Sequence, residues 1–294
     1  MGTNIRVKYV SRTIVIPNKE LVIGIDLSIF IHKFFAVYKN TAGQPFSITL
    51  DQKKEYTSHL YGLFKTFGLL ATRNKLVFLL DWNPNLPLKE DIRTKRKVAA
   101  ERREEKIKEY LKDPRTFTLA KEEVMRRTSY PVNFQLLEKV FSEVGWTLIK
   151  VRDIDAEKYG ARLVSSSLID YFITTDSDTL LFGSDYVKKW RVIEDNIEME
   201  VVSKEDTLKE NNISYDTLIK GGIITGTDYS PGIKGIGPER VFNYLKEKEL
   251  PVEFDEIYTY FTNPYAVPSP LLLNHNPEKY QEWSSKFLFK RSLY

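Results

Sequence analysis

The chain of 294 residues contains no cysteine and only three histidines. Disulfide bridges, cysteine nucleophiles and Cys-ligated zinc are therefore excluded, and a histidine-rich metal site is not expected. A metal ion in this protein would need hard oxygen ligands, which favours magnesium or manganese. The sequence also lacks a run of eighteen apolar residues, so it predicts no membrane-spanning helix.

Hydrophobic periodicity predicts strands that alternate with helices, which is typical of an α/β domain with a mainly parallel sheet. A β-hairpin is predicted from Trp190 to Val202, with its turn near Asp195 and Asn196, and helical segments follow from Ser203 to about Phe261. The first twenty residues are predicted partly as strand. Buried strands are predicted at 20–26, 76–81, 147–151 and 170–175, and helices at 27–38, 57–72, 133–145 and 156–166.

The distribution of charge is more informative than the net charge of +4. Residues 89–112, KEDIRTKRKVAAERREEKIKEYLK, carry ten basic and six acidic side chains and few apolar ones. A solvated helix with i,i+4 ion pairs is one interpretation. A phosphate-binding helix beside an active site is the other, and it is favoured because the segment begins shortly after a strand that ends in Asp81.

Carboxylates stand at the ends of three predicted strands, as Asp26, Asp81 and Asp176, and Asp178 follows two residues after the last. The carboxyl ends of parallel strands lie at one edge of the sheet, where α/β proteins have their sites. A single aspartate there is commonly an N-cap or a turn residue. Several carboxylates packed together repel one another unless cations bind them, so the cluster indicates a divalent metal site.

Asp155 and Glu157 extend this set at the start of the predicted helix 156–166. Inside a helix, residues i and i+2 diverge by about 200°, but Asp155 precedes the helix, so both side chains can face one metal pair. The alternative is that they are acidic residues of the kind that stabilises any helix N-terminus.

Residues 226–240, GTDYSPGIKGIGPER, precede the helical stretch VFNYLKEK and predict a helix–hairpin–helix motif. Glycines allow main-chain N–H groups to approach a phosphate, and Pro238 suits the first turn of a helix. The alternative is a tight connection between two helices. The nucleic-acid interpretation is favoured by nearby charged residues, which are Lys234, Arg240, Lys246 and a seventh carboxylate, Asp228.

Taken in order, five segments of the chain resemble the XPG/flap endonuclease family of structure-specific 5′ nucleases, from about Leu21 to Leu245. The resemblance implies a PIN-like nuclease domain over 1–202, with a basic arch or gateway helix at about 87–130. It also implies a helical DNA-binding region over 203–294, with a helix–three-turn–helix (helix–hairpin–helix) motif at about 214–247 and a short C-terminal tail. The segments are IGIDLSIFIHKF, VFLLDWNP with the basic segment, DIDAEKYGARL, ITTDSDTLLFGS and GTDYSPGIKGIGPER.

The resemblance implies a metal-binding role for seven carboxylates and a catalytic role for Lys89 and Arg96. Lys89 and Arg96 match the gateway lysine and arginine of the family, which face the scissile phosphate. The family usually carries glutamate where this chain has Asp155, and aspartate is one methylene shorter, so a contact through water is an alternative there. The implied metal ligands are Asp26, Asp81, Asp155, Glu157, Asp176, Asp178 and Asp228, of which Asp26, Asp81 and Asp178 are also assigned to catalysis.

The resemblance implies further contacts to DNA and to a potassium ion. His32 stands where relatives stack a side chain on the base beside the cut, although an ordinary helix residue near the core is the alternative. Gly232, Ile233 and Ile236 match a loop that binds potassium through carbonyl oxygens. The other implied DNA-binding residues are Arg93, Lys234, Gly235, Gly237, Arg240 and Lys246.

The implied activity is that of a 5′ flap endonuclease or 5′–3′ exonuclease in DNA replication, repair or recombination, with two Mg²⁺ or Mn²⁺ ions. A catalytically silent scaffold that binds nucleic acid or proteins is an alternative, as is a same-fold nuclease for four-way junctions or RNA. All seven acidic positions are retained, which favours an active enzyme.

The resemblance implies a monomer that binds DNA with a 5′ flap or junction. An intracellular location is expected, in the nucleus of a eukaryote or at the site of genome replication of a virus. No membrane partner is expected. A sliding-clamp partner is not expected through the C-terminal tail, because Gln281 to Leu288 has Ser284 where the clamp-binding pattern needs an aliphatic residue.

Overall fold

The computed structural model describes residues 4–35, 58–82, 89–110, 112–116, 119, 132–152, 154–264, 278–280 and 282. Within this part of the chain, seven strands form one sheet in the order β1-β7-β6-β5-β2-β3-β4. The strands are β1 Ser11–Pro17, β2 Val22–Asp26, β3 Lys75–Asp81, β4 Thr147–Val151, β5 Tyr171–Ile173, β6 Tyr186–Ile193 and β7 Asn196–Val202.

The described helices cover both faces of the sheet and continue beyond it in the C-terminal part of the chain. None of them combines the length and the apolar composition needed to cross a bilayer. Short 3-10 turns occur at Pro114–Thr116 and Val252–Phe254. The α-helices are α1 Leu27–Phe35, α2 Ser58–Ala71, α3 Glu90–Tyr110, α4 Phe134–Val144, α5 Ala156–Ser165, α6 Asp178–Leu181, α7 Lys204–Asn211, α8 Tyr215–Thr225, α9 Val241–Glu247 and α10 Asp255–Thr262.

The five strands β6, β5, β2, β3 and β4 are parallel, and β7 and β1 extend the sheet in antiparallel pairing. The predicted α/β architecture with a mainly parallel sheet is therefore confirmed. The β6–β7 turn passes through Glu194, whose φ of 53° is in the left-handed region, one residue before the predicted turn. Strand β1 pairs along its whole length with β7 and ends at Pro17, which an edge strand tolerates.

Side chains of β3 alternate between the two faces of the sheet, because successive strand residues point to opposite sides. Leu76, Phe78 and Leu80 pack with α1, α2 and α4. Val77 and Leu79 pack with α5 on the other face. All five are buried, which explains why this strand is a continuous apolar run and was predictable as a central parallel strand.

A third apolar cluster joins the N-terminal segment to the C-terminal helices. Ile5 and Val7 pack there with residues of α6, α8, α9 and α10. The cluster also holds Val202 and Leu218, which lie on the two sides of the predicted domain boundary after residue 202. The boundary itself stays a prediction.

Two segments predicted from the resemblance correspond only in part to observed elements. The basic helix is α3, and most of residues 117–131, which complete the predicted arch, lie outside the described residues. Helices α8 and α9 flank the glycine-rich segment 226–240. Helix α9 begins at Val241, three residues after Pro238, since the N–H of Arg240 bonds the Gly237 carbonyl at 3.0 Å in a turn.

Candidate functional site

The ends of three neighbouring parallel strands bring acidic residues to one edge of the sheet. Asp26 is the last residue of β2, and Asp81 is the last residue of β3, its neighbour. Asp176 follows β5, which pairs with β2 on the other side. The predicted convergence of these carboxylates is what the parallel register produces.

Asp26 is fully buried in the middle of this edge. The hydroxyl of Thr174 donates to its Oδ2 at 3.0 Å, and the N–H of Ile29 donates to Oδ1 at 3.4 Å. Burial, with the nearby charge of Asp81, raises the pKa of Asp26 to about 8 despite these two donors. A carboxyl group so placed favours a neighbouring cation strongly.

Asp81, Asp155 and Glu157 offer oxygen atoms that all lie within 4.8 Å of one another. Asp155 is the N-cap of α5, and Glu157 is in its first turn. Burial raises the pKa of Asp81, and Asp155 adds to the effect. Burial and the surrounding carboxylates, Asp26 first among them, raise the pKa of Glu157 well above its usual range. A cluster of hard oxygen donors with mutual repulsion has the chemistry of a Mg²⁺ or Mn²⁺ site.

The remaining predicted carboxylates join the same group. The N–H of Asp178 donates to Oδ1 of Asp176 at 3.0 Å, which fixes the loop between β5 and α6. Burial raises the pKa of Asp176, and the charge of Asp228 contributes to the rise. The charge of Asp176 in turn acts on Glu157. Asp176 thus adjoins the group formed by Asp26, Asp81, Asp155 and Glu157. Asp178 is linked to Asp176 through its main chain, and Asp228 acts on Asp176 by its charge.

Lys89 lies at the edge of this cluster, with its side chain only 14% exposed. Its Nζ is 2.5 Å from Oδ1 of Asp155. Burial opposes the charge of the ammonium, but Asp155 and Glu157 outweigh it and raise the pKa of Lys89. The lysine is therefore a stable cation next to the carboxylates.

Two tyrosines at the site were not predicted. The hydroxyls of Tyr229 and Tyr260 both donate to Oδ2 of Asp155. Tyr229 has a weak signal in the sequence, because it follows the predicted ligand Asp228. Tyr260 has none, since its contact with Asp155 spans 105 residues and helix α10 gives no local hint of it.

The glycine-rich segment presents main chain and cations to solvent. Lys234, Gly235 and Arg240 are exposed, as are Gly237 and Lys246. Gly235 has a φ of +89°, a left-handed backbone conformation that glycine adopts far more readily than residues with a side chain. Exposed N–H groups beside lysine and arginine are suited to phosphate oxygens. The DNA-binding role of these residues stays a prediction.

The predicted potassium site lies at the other end of the same segment. Gly232 has a φ of +73°, and the N–H of Ile233 donates to the Ile224 carbonyl at 2.8 Å. The N–H of Ile236 donates to the Ile233 carbonyl at 3.0 Å. Potassium binding by Gly232, Ile233 and Ile236 stays a prediction.

Several sequence predictions concern residues or side chains outside what the structure describes. The side chains of His32, Arg93 and Arg96 are among them. So is most of the C-terminal segment 281–288, in which the sliding-clamp pattern is not matched.

Comparisons with known proteins agree with this geometry. The XPG I-region family model matches residues 151–228, which contain five of the seven carboxylates. The chain is 28% identical over 307 aligned residues to flap endonuclease 1 of Pyrococcus furiosus, with 93% of this chain and 87% of that protein covered.

Two solved structures have the same fold. Flap endonuclease-1 from Methanococcus jannaschii aligns with a TM-score of 0.63 and 22% identity, covering 95% of this chain and 90% of that one. Human GEN1 in complex with Holliday junction DNA aligns with a TM-score of 0.57 and 16% identity, covering 94% and 71%. With the matched I-region and the relatives named flap endonuclease 1, these findings support the resemblance to the XPG/flap endonuclease family that the sequence motifs indicate.

Proposed function

We propose that this protein is a metal-dependent, structure-specific 5′ flap endonuclease and 5′–3′ exonuclease that hydrolyses DNA phosphodiester bonds near single-strand/duplex junctions. The observation that carries the proposal is the cluster of carboxylates at the carboxyl edge of the sheet, in which Asp26 is fully buried and Glu157 is surrounded by Asp26, Asp81, Asp155 and Asp176. Such a cluster is unfavourable by itself and becomes favourable when divalent cations neutralise it.

The residues present fit a pair of hard divalent ions. Asp81, Asp155 and Glu157 would hold one side of the site, and Asp26, with Asp176, the other. When bound, two Mg²⁺ or Mn²⁺ ions supply an activated water and stabilise the leaving 3′ oxygen. The carboxylates orient these ions, and their main-chain partners keep the strand ends in place.

Lys89 would act on the substrate itself. Its buried ammonium, next to Asp155, is close enough to the cluster to contact a phosphate bound there. A cation that is already desolvated stabilises negative charge on a phosphate more than a solvated one does. Arg96 is the proposed second cation of this group.

The exposed cations of the glycine-rich segment would hold duplex DNA. Lys234, Arg240 and Lys246 bind phosphates, which carry no base identity, so they position the substrate without selecting its sequence. The position of the cleaved bond would then be determined by the junction and by the carboxylate cluster.

Cleavage of end-labelled substrates tests the proposal. The purified chain is incubated in Mg²⁺ or Mn²⁺ with 5′ flap, nicked, gapped, four-way and RNA substrates, with EDTA as the blank. A flap cut near the junction, leaving a 5′-phosphate and a 3′-hydroxyl, is the expected result. Preferred cutting of four-way junctions or RNA would reassign the substrate within the same chemistry.

The Asp178→Ala variant tests whether the carboxylates are needed for cleavage and not for DNA binding. It is expected to lose nearly all turnover yet to retain junction binding in Ca²⁺, because basic groups and main-chain donors hold the phosphates. Equal turnover by wild type and variant would refute the metal-site assignment, and no cleavage of any substrate by the wild type would favour a silent scaffold.

A further inference from the structure

The carboxylate of Asp155 accepts hydrogen bonds from three side chains that belong to distant segments. Lys89 Nζ lies 2.5 Å from Oδ1. The hydroxyls of Tyr229 and Tyr260 both donate to Oδ2, the second at 3.0 Å. Lys89 precedes α3, Tyr229 lies after α8, and Tyr260 is in α10. One buried carboxylate therefore joins the start of the basic helix to the C-terminal helical region.

Helix α5, which Asp155 caps, also fixes the end of α10 that carries Tyr260. Lys158 Nζ donates to the Tyr260 carbonyl at 2.5 Å and lies 3.9 Å from the centre of the tyrosine ring. Arg162 Nη2 donates to the Asn263 carbonyl at 3.2 Å. These bonds determine where the Tyr260 hydroxyl lies relative to Asp155, so the contact follows from the docking of two helices.

The tyrosine rings also shape the environment of the Lys89 ammonium. The rings of Tyr229 and Tyr260 are 4.9 Å apart, and Lys89 Nζ lies 4.5 Å from the centre of the Tyr229 ring. An aromatic face attracts a cation, most strongly when the cation is shielded from water. Tyr229 thus contacts Lys89 directly and also through their shared partner Asp155.

In the proposed catalytic role, the Lys89 ammonium moves from Asp155 towards the bound phosphate. A buried carboxylate that loses a paired cation is destabilised, so the ion pair with Asp155 would hold the lysine back. Two hydroxyl donors on Oδ2 remain after the lysine has moved, and hydrogen bonds to a carboxylate stabilise its charge. The tyrosines therefore lower the free-energy cost of transferring Lys89 from Asp155 to the substrate.

We propose that Tyr229 and Tyr260 are positioning residues for Lys89. They hold Asp155 in place, set the resting position of the ammonium, and stabilise the Asp155 charge when the ammonium moves to the scissile phosphate. The inference rests on the proposed function, because it needs Lys89 to act on phosphate. Because Tyr260 lies in α10, this role makes the active site depend on how the C-terminal helices pack against α5.

Tyrosine-to-phenylalanine variants test this role, because they remove the hydroxyl and keep the ring. In Tyr229→Phe/Tyr260→Phe the single-turnover cleavage rate in Mg²⁺ is expected to fall by about 10- to 100-fold, as for the loss of hydrogen bonds to a charged group. The dissociation constant for flap DNA in Ca²⁺ is expected to stay near that of wild type, whereas the metal-free melting temperature should fall, because both hydroxyls bond a buried carboxylate. Tyr258→Phe is the control. Tyr258 also lies in α10, and its hydroxyl donates to the carboxylate of Asp216 at 2.6 Å, away from Asp155.

A double-mutant cycle with Lys89→Met distinguishes positioning from a general structural role. If the tyrosines act through Lys89, their replacement causes little further loss in the Lys89→Met background. An equal fold loss in both backgrounds would overturn the inference. If the double tyrosine variant fails to fold, the single variants enter the same cycle. Full cleavage by Lys89→Met itself would instead refute the proposed role of Lys89, and with it the basis of the inference.

Discussion

The main-chain N–H of Ala156 donates a hydrogen bond of 2.8 Å to Oδ1 of Asp81. This bond connects the first turn of α5 to the end of β3. Because Asp155 and Glu157 flank Ala156, it also brings their carboxylates against that of Asp81. The main chain thus assembles the acidic centre, and the resulting repulsion between carboxylates remains to be balanced by cations.

Neutralising one buried carboxylate is expected to stabilise the metal-free protein. In EDTA, Asp26→Asn should increase the free energy of unfolding by about 1 to 3 kcal/mol at pH 8, because it removes charge from a fully buried position among like charges. Added Ca²⁺ should raise the melting temperature of wild type more than that of the variant, since the variant has lost a ligand. Thermal melts of both proteins, with and without metal, measure this.

The control for this prediction is Glu256→Gln, which changes an exposed glutamate of α10. It should respond to EDTA and Ca²⁺ as wild type does. A destabilised Asp26→Asn protein with an unchanged response to Ca²⁺ would mean that Asp26 has a packing role and does not bind metal.

Replacement of Gly232 by alanine is expected to destabilise the segment that follows α8. Gly232 has a φ of +73°, and an added Cβ would lie 2.8 Å from the carbonyl oxygen of Ile224. Left-handed strain together with this main-chain clash should lower the free energy of unfolding by roughly 2 to 3 kcal/mol. Urea unfolding midpoints measure the effect.

Gly237→Ala is the matched control in the same segment. A Cβ at Gly237 meets nothing within 4 Å, so the change should alter stability by no more than about 0.5 kcal/mol. An equal loss of stability in the two variants would contradict the prediction. It would mean that the φ and the main-chain clash at Gly232 do not cause the loss.

The position of the acidic centre could be predicted because it depends on local patterns. LVFLLD is a continuous apolar run that ends in an acid, and parallel strands place such ends at one edge. The contacts of Tyr260 could not be predicted in this way. Its partner Asp155 lies 105 residues away, and the hydrogen bond exists only because α10 docks on α5.

The ends of helices and strands were hardest to predict where a residue can belong either to a main-chain turn or to the first turn of a helix. Pro238 suits a first helical turn, yet the Arg240-to-Gly237 bond delays α9 to Val241. Strand β1 had only a partial signal because most of its side chains face solvent, and its pairing with β7 depends on residues far along the chain.

His59 is expected to make the protein less stable in mild acid. It is buried in α2, and burial lowers its pKa to about 4. The unfolded chain binds this proton near pH 6.5, so stability falls as pH drops from 6.5 towards 4. At pH 5 this group alone should remove about 2 kcal/mol. The loss between pH 7 and pH 5 should be smaller in His59→Leu, and an identical loss in both proteins would contradict the prediction.

Charge reversal at Arg240 is expected to weaken binding to all duplex-bearing substrates by similar factors. Arg240 is exposed directly before α9, where it can contact phosphates but no base edges. The salt dependence of the binding constant should become shallower by roughly one unit of slope in Arg240→Glu. Titrations of flap, nicked and four-way DNA in Ca²⁺ at several salt concentrations measure both quantities.

Lys139→Glu is the control for this variant, because Lys139 is an exposed cation of α4, outside the glycine-rich segment. It should leave affinity and salt dependence near those of wild type. At saturating protein, Arg240→Glu should cut a flap at the same phosphate as wild type, since the carboxylate cluster and Lys89 determine the cleaved bond. A shifted cut, or weaker binding to single strands alone, would mean that the segment contacts the 5′ flap and does not anchor the duplex.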